Sequence, residues 1–249
     1  MQSQLKSFMF QKWEYLLFLH WPVDEKLFSA SLPKDLRLDL FEGHAWVSVV
    51  GFRLTSLRVK PLTLIPWNDF TELNLRTYVR DKAGNRGVWF YSLDASDLFP
   101  VIGAKVLYGL NYRFASMQFR FQENSISYSS KTRFSSPEVR GEIAAELPQT
   151  LVKERDSANG GLDRFLLERY RFWSSRKSGK SKSSSAKVSH EPYEAIRLKS
   201  ATYQGNLFAC HGLEEPEEPP ACVHYCKGFE VEASAPEWAF SIAGQANHK

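Results

Sequence analysis

Between Phe70 and Arg80 three residues able to bind or move charge, Glu72, Asn74 and Arg76, recur at every second position among Leu, Thr, Tyr and Val. In an extended chain that spacing puts all three on one face, because successive side chains of a strand point to opposite sides. A carboxylate, an amide and a guanidinium converging in an enclosed space can hold an oxyanion or an enol-like group through charge-assisted hydrogen bonds. Two readings stand for this face. It looks to water, as the polar side of an antiparallel sheet commonly does, or it lines the interior of a closed or strongly curved sheet. Tyr112 and Arg113, which follow a helix directly, are candidates to meet the same space. The candidate ligand-binding set is Glu72, Asn74, Arg76, Tyr112 and Arg113, with Glu72 the candidate for proton transfer.

A second group, Cys210, His211, Cys222, His224 and Cys226, contains the side chains zinc prefers. Its spacing argues against a shared ion: on a strand Cys222 to Cys226 spans about 13 Å, whereas every zinc ligand lies within about 2.3 Å of the metal. Cys-x2-Cys pairs are absent, so no metal and no cofactor is expected. Lys105, on the helix before Tyr112, is a nearby amine but reads as a snorkelling or ion-pairing residue. His20 and His190 have no assignable partners.

These residues must be positioned by strands. Ala45–Val59 is β-branched and aromatic, with Gly51 a candidate bulge or bend. In Phe70–Arg80, Leu73, Leu75, Thr77 and Val79 share the face opposite Glu72 and should pack outward against helices. The return strand from Gly87 to Leu93 alternates Trp89, Tyr91 and Leu93 against Val88, Phe90 and Ser92. Asp94 or Ser96 is a candidate cap, Pro100 suits a first turn and Gly109 a stop, so a helix is expected over Asp97–Tyr108. Strands Arg113–Gln122 and Ser125–Phe134 flank a turn at Glu123-Asn124, and a third run covers Glu138–Leu147. Farther on come a helix at Leu162–Tyr170, a mobile Ser/Lys-rich tip at Ser174–Ser189, a short helix at Tyr193–Ser200, and strands at Asn206–Cys210 and Cys222–Ala233.

With 43% hydrophobic and 14% aromatic residues the 249-residue chain has ample core material, and one domain over 1–249 is expected, with its core at about 13–233. The 32 basic and 28 acidic residues nearly cancel, so no strong field invites nucleic acid. No apolar run is long enough for a membrane-spanning helix. Three cysteines are too few for a disulfide framework, which suggests the cytoplasm.

LLFLHWPV at 16–23, FTELNLRTYV at 70–79, GVWFYSLDA at 87–95, FLLERY at 165–170 and HYCKGFEV at 224–231 closely resemble the signature blocks of the bacterial YqjF-like proteins, the DUF2071 family. The resemblance implies an acetoacetate decarboxylase-like fold: a β-rich α+β domain whose curved, barrel-like antiparallel sheet, with a few short flanking helices, encloses a ligand cavity. It also implies a loss of chemistry. The position of the decarboxylases' Schiff-base lysine falls on Tyr112, that of its cationic neighbour on Arg113, that of a helix arginine on Lys105, and that of the pocket glutamate on Glu72. A phenol cannot form the iminium that this decarboxylation needs, and acetoacetate decarboxylase is the standard example of a lysine activated by a neighbouring cation. The chain departs from its relatives at Asn111, where proline is typical. The expected function is binding of a small anionic organic molecule without Schiff-base decarboxylation. Acid/base catalysis on a keto or enol substrate and a noncatalytic structural or interaction role are the alternatives, and oligomeric state is not set by the sequence.

Overall fold

A computed structural model describes residues 7–61, 64, 67–150, 160–175 and 183–236. Thirteen strands dominate: β1 (Ser7–Val23), β2 (Leu36–Leu38), β3 (Ala45–Val59), β4 (Phe70–Asp81), β5 (Arg86–Ala95), β6 (Tyr112–Gln122), β7 (Ser125–Thr132), β8 (Arg140–Glu146), β9 (Arg171–Ser174), β10 (Ser184–Ser189), β11 (Ala195–Arg197), β12 (Ala201–Gly205) and β13 (Cys222–Ser234). Three short helices join them, α1 (Glu25–Ser31), α2 (Leu98–Tyr108) and α3 (Gly160–Leu167). Seven strands run in the order β5-β9-β10-β13-β1-β3-β4, and pairing of β4 with β5 closes the ring into a barrel. Beyond it, β5 pairs in parallel with β6, which leads into the antiparallel meander β6-β7-β8-β12.

Closure decides which side of β4 is inside. Glu72, Asn74 and Arg76 point into the barrel cavity, Tyr78 on the same face meets His20 and Ser48, and all four are buried. Leu73 and Leu75 point out, where they pack in one cluster with Tyr128 and Ile143 of the meander as well as Phe28 of α1. The expected helical cover for these leucines is thus mostly sheet, because the meander folds back over the barrel wall. Gly51 supplies the clearance: a Cβ there would lie 2.7 Å from ring carbons of Tyr128. The nearby irregularity falls on β1, where Glu14 pairs with Arg53 and Leu17 with Gly51, so the extra residue belongs to β1 and not to Gly51.

Several boundaries differ from the sequence expectation for identifiable reasons. Asp94 and Ser96 do not cap α2, because Asp94 is spent on Arg113 and Ser130 and the Ser96 hydroxyl accepts from the Thr71 N–H. The cap falls on Asp97, which accepts from the Phe99 N–H, and Gly109 ends the helix in the left-handed conformation at φ 66°. A bulge between Leu75 and Arg76 pairings sets Arg76 opposite Phe90, and this puts Leu93 on the cavity side with Phe90 and Val88 instead of with Tyr91. The helix expected at Tyr193–Ser200 is strand β11, bonded to β13, and the strand expected at Asn206–Cys210 gives way to a 3₁₀ turn at Ala209–His211 behind β12. Of the expected mobile tip at 174–189, Ser184–Ser189 is strand β10, and residues 176–182 lie outside the described residues.

Candidate functional site

The barrel encloses a cavity of about 380 Å³. Its walls are largely apolar: Trp13 and Phe18 from β1, Val50 and Phe52 from β3, Phe90 and Leu93 from β5. Gly103, Leu107 and Tyr108 of α2 lie against it, and the exposed Lys60 and half-buried Trp67 stand at its edge. Into this apolar volume β4 projects Glu72, Asn74 and Arg76, and β6 projects Tyr112.

The polar groups are ordered by one another. Glu72 accepts a hydrogen bond from the Tyr112 hydroxyl at 2.6 Å on Oε2 and another from the Asn74 amide at 2.9 Å on Oε1. Burial disfavours its charged form strongly enough to outweigh both bonds and the Arg76 charge, so its carboxyl is pushed up to about 7. The Tyr112 phenol is held well above its ordinary range by burial and by Glu72, and so stays a donor. Asn74 keeps its Oδ1 without a partner.

Arg76 is 6% exposed, and its Nε and Nη2 have no hydrogen-bond partner among the described residues. Its guanidinium lies over the rings of Phe18 at 5.3 Å and Tyr78 at 6.0 Å. Cation–π contacts supply part of the lost hydration but no countercharge. The other deep guanidinium in the wall, Arg169, is differently placed: it binds Asp39 at 2.6 Å and the Phe165 carbonyl at 2.7 Å.

Four of the five sequence candidates therefore converge, and Arg113 does not. As neighbours on one strand, Tyr112 and Arg113 point to opposite faces. Arg113 leaves the barrel to bind Asp94 at 2.6 Å and donates to the Cys210 sulfur at 3.1 Å. Its expected place in the cavity is corrected on that ground. Lys105 is exposed on α2 and absent from the cavity wall. Asn111 uses its side-chain amide to bond the Tyr91 carbonyl at 2.6 Å.

The cysteines and histidines separate. Cys226 joins the core beside the cavity, Cys210 faces Arg113, and the His211 ring lies against Tyr91. His190 is held among Tyr170, Tyr193 and Phe229. Cys222 and His224 meet Asp163 of α3, the three ligand atoms lying within 4.8 Å of one another. Arg197 already donates to both Asp163 at 2.8 Å and Cys222 at 3.1 Å, so a protein cation neutralises this group. Sequence reasoning missed Asp163 because it lies 61 positions from His224, with no motif linking them.

The profile of the DUF2071 family, described as an uncharacterized conserved protein, matches residues 10–230. The chain is 34% identical over 224 residues to the uncharacterized protein YqjF of Bacillus subtilis, covering 90% of this chain and 89% of that one. Among solved structures it is similar to acetoacetate decarboxylase from Legionella pneumophila, with a TM-score of 0.60, 12% identity, and coverage of 94% of this chain and 88% of that one. It is also similar to the enduracididine biosynthesis enzyme MppR complexed with pyruvate, with a TM-score of 0.61, 10% identity, and coverage of 95% and 92%. An acetoacetate decarboxylase-like enzyme from Sphingomonas wittichii gives 0.57 at 12% identity, covering 94% of each chain. These likenesses establish the acetoacetate decarboxylase-like fold. No helix among the described residues is long and apolar enough to cross a membrane.

Proposed function

The chain belongs to the DUF2071 family of conserved proteins, and from that premise we propose that its barrel binds a small organic monoanion, with the acid group on Arg76, and does not decarboxylate through a Schiff base. One observation carries this reading: Arg76 is a buried cation in a cavity wall with no ion pair among the described residues, and the nearby Glu72 carboxyl is itself pushed toward its neutral form. Holding such a charge out of water costs several kcal/mol by order of magnitude unless a counterion arrives. The cavity volume is within the usual range for small-molecule sites, and its aromatic walls fit an apolar body attached to the acid.

A second reading, acid/base catalysis on a keto or enol group, is favoured by the Glu72–Tyr112 pair. A carboxyl near 7 can give or take a proton at neutral pH, and the phenol beside it can donate to developing negative charge. The reading against Schiff-base chemistry is supported by the cavity lining, where the exposed Lys60 at the edge is the lysine among the described wall residues. Treatment with borohydride and acetoacetate should leave no adduct, and a lysine-linked product would overturn this part.

Binding is tested by scanning calorimetry and isothermal titration against 2-oxo, 3-oxo and aryl or alkyl monocarboxylates. A ligand whose affinity falls at least about a hundredfold in Arg76→Met, the scale of a lost charge-assisted contact, supports the reading. A ligand bound equally by wild type and Arg76→Met would refute it.

A further inference from the structure

Beside Arg76 the barrel interior continues as a polar belt, away from the cavity. Arg76 of β4 pairs with Ser48 of β3, Ser48 with His20 of β1, and His20 with Cys222 of β13, so these residues lie level across four neighbouring strands. Tyr78 and His224 share the belt, and Asp163 of α3 closes it from outside. Ser48, Tyr78 and His20 are 0% exposed and His224 is 1% exposed, while the Asp163 side chain is 27% exposed. None of the four buried groups lines the cavity, so the binding reading leaves them unused.

The contacts fix a direction. Asp163 Oδ1 accepts from Arg197 and lies 3.1 Å from His224 Nε2, so Nε2 carries a hydrogen, and in the neutral ring His224 Nδ1 has the lone pair. That lone pair is 3.2 Å from His20 Nε2, which must then be the donor, leaving His20 Nδ1 as an acceptor. The acceptor is met by the Ser48 hydroxyl at 2.6 Å and the Tyr78 hydroxyl at 3.2 Å, themselves 2.6 Å apart. Every hydrogen in the row points the same way, toward solvent. Burial, together with the positive charges of Arg76 and Arg197, holds His20 well below its ordinary range, so its ring rests neutral.

We propose that Ser48 and Tyr78, His20, His224 and Asp163 form a proton relay between the barrel interior beside Arg76 and solvent at α3. In one outward passage a hydroxyl gives its proton to His20 Nδ1, His20 gives its Nε2 proton to His224 Nδ1, and His224 gives its Nε2 proton to Asp163, which releases it to water. An acid in the barrel restores the hydroxyl, and each imidazole is left in its other neutral tautomer until a return passage resets it. No electrons are transferred, and the acid bound in the barrel is the co-reactant that supplies the proton. A belt serving only to satisfy buried polar groups would show the same hydrogen bonds, but its protons would leave only when the barrel opens.

Nitrogen-15 NMR of histidine-labelled protein separates the two, and it does so without a ligand. Both rings should be Nε2–H tautomers. In D₂O the His20 Nε2 proton, its rate divided by that of a free imidazole, should on the same normalised scale be at least about tenfold less protected than the Leu19 backbone amide, which reports opening of the same strand. Asp163→Asn keeps an acceptor oxygen for Arg197 and His224 but takes up no proton at neutral pH. It should slow His20 exchange by about tenfold or more without changing Leu19, and Asp163→Glu should restore it. An Nδ1–H tautomer at His20, exchange in step with Leu19, or exchange indifferent to Asp163→Asn would each overturn the relay. Should Asp163→Asn fail to fold, the comparison of His20 with Leu19 in wild type decides the matter alone.

Discussion

Replacing Glu72 by glutamine should change how stability depends on pH, in a calculable direction. The folded-state carboxyl sits at about 7 against a reference of 4.5, so the native barrel holds this proton more tightly than the unfolded chain does. The stability linked to that proton is complete below pH 4.5 and is lost as pH rises through 7. The difference of about 2.5 units amounts to about 3 kcal/mol of lost stability at pH 9 relative to pH 4. Glutamine resembles the neutral acid: its carbonyl can accept from Tyr112, and its amide can turn to the unpartnered Oδ1 of Asn74. Glu72→Gln should therefore match wild type near pH 4.5 and exceed it by up to about 3 kcal/mol at pH 9, or about 6–12 °C in Tm for a chain of this size. Urea unfolding of both proteins from pH 4.5 to 9 gives the difference directly, because all other titrating groups are common to the pair. Parallel curves, or a variant gaining stability only toward acid, would refute the assignment of this burial cost to Glu72.

Three further outcomes follow from the same geometry. Arg76→Met should abolish monoanion binding and leave apo stability unchanged or raised by about 1–4 kcal/mol, since an unpaired buried charge is exchanged for an apolar chain, as urea titration would show. Tyr112→Phe removes the 2.6 Å donor to the Glu72 carboxylate, so the Glu72 midpoint should move above 7, in the direction opposite to any added donor, as read by carbon-13 NMR of the carboxyl. Gly51→Ala should cost about 1–3 kcal/mol in chemical denaturation, because the new methyl would stand 2.7 Å from the fully buried Tyr128 ring.

The alternation of β4 is written plainly in the chain, and it suffices to place Glu72, Asn74 and Arg76 on one face. The same rule, applied to Tyr112 and Arg113, separates them: adjacent positions on a strand cannot share a cavity, and Arg113 instead binds Asp94. Capping turns on tertiary contacts too: Asp94 and Ser96 have the right side chains but are recruited by the sheet, leaving Asp97 to cap α2. Leu93 moved to the cavity face through a bulge, which depends on how β5 is matched to β4 and leaves no residue signature.

Local spacing thus determined which groups travel together, because period two is a property of the extended backbone itself. Whether the hydrophilic side of β4 meets water or a cavity was decided by β5 pairing with β4, a contact that closes the barrel. That closure made Arg76 a buried cation and lifted Glu72 toward neutrality. Pairing of β1 with β13 set His20 against His224 across 204 positions of chain. Burial and long-range proximity are properties of the closed surface, and the free energies that tune these groups arise only once water has been excluded from both sides of the strand.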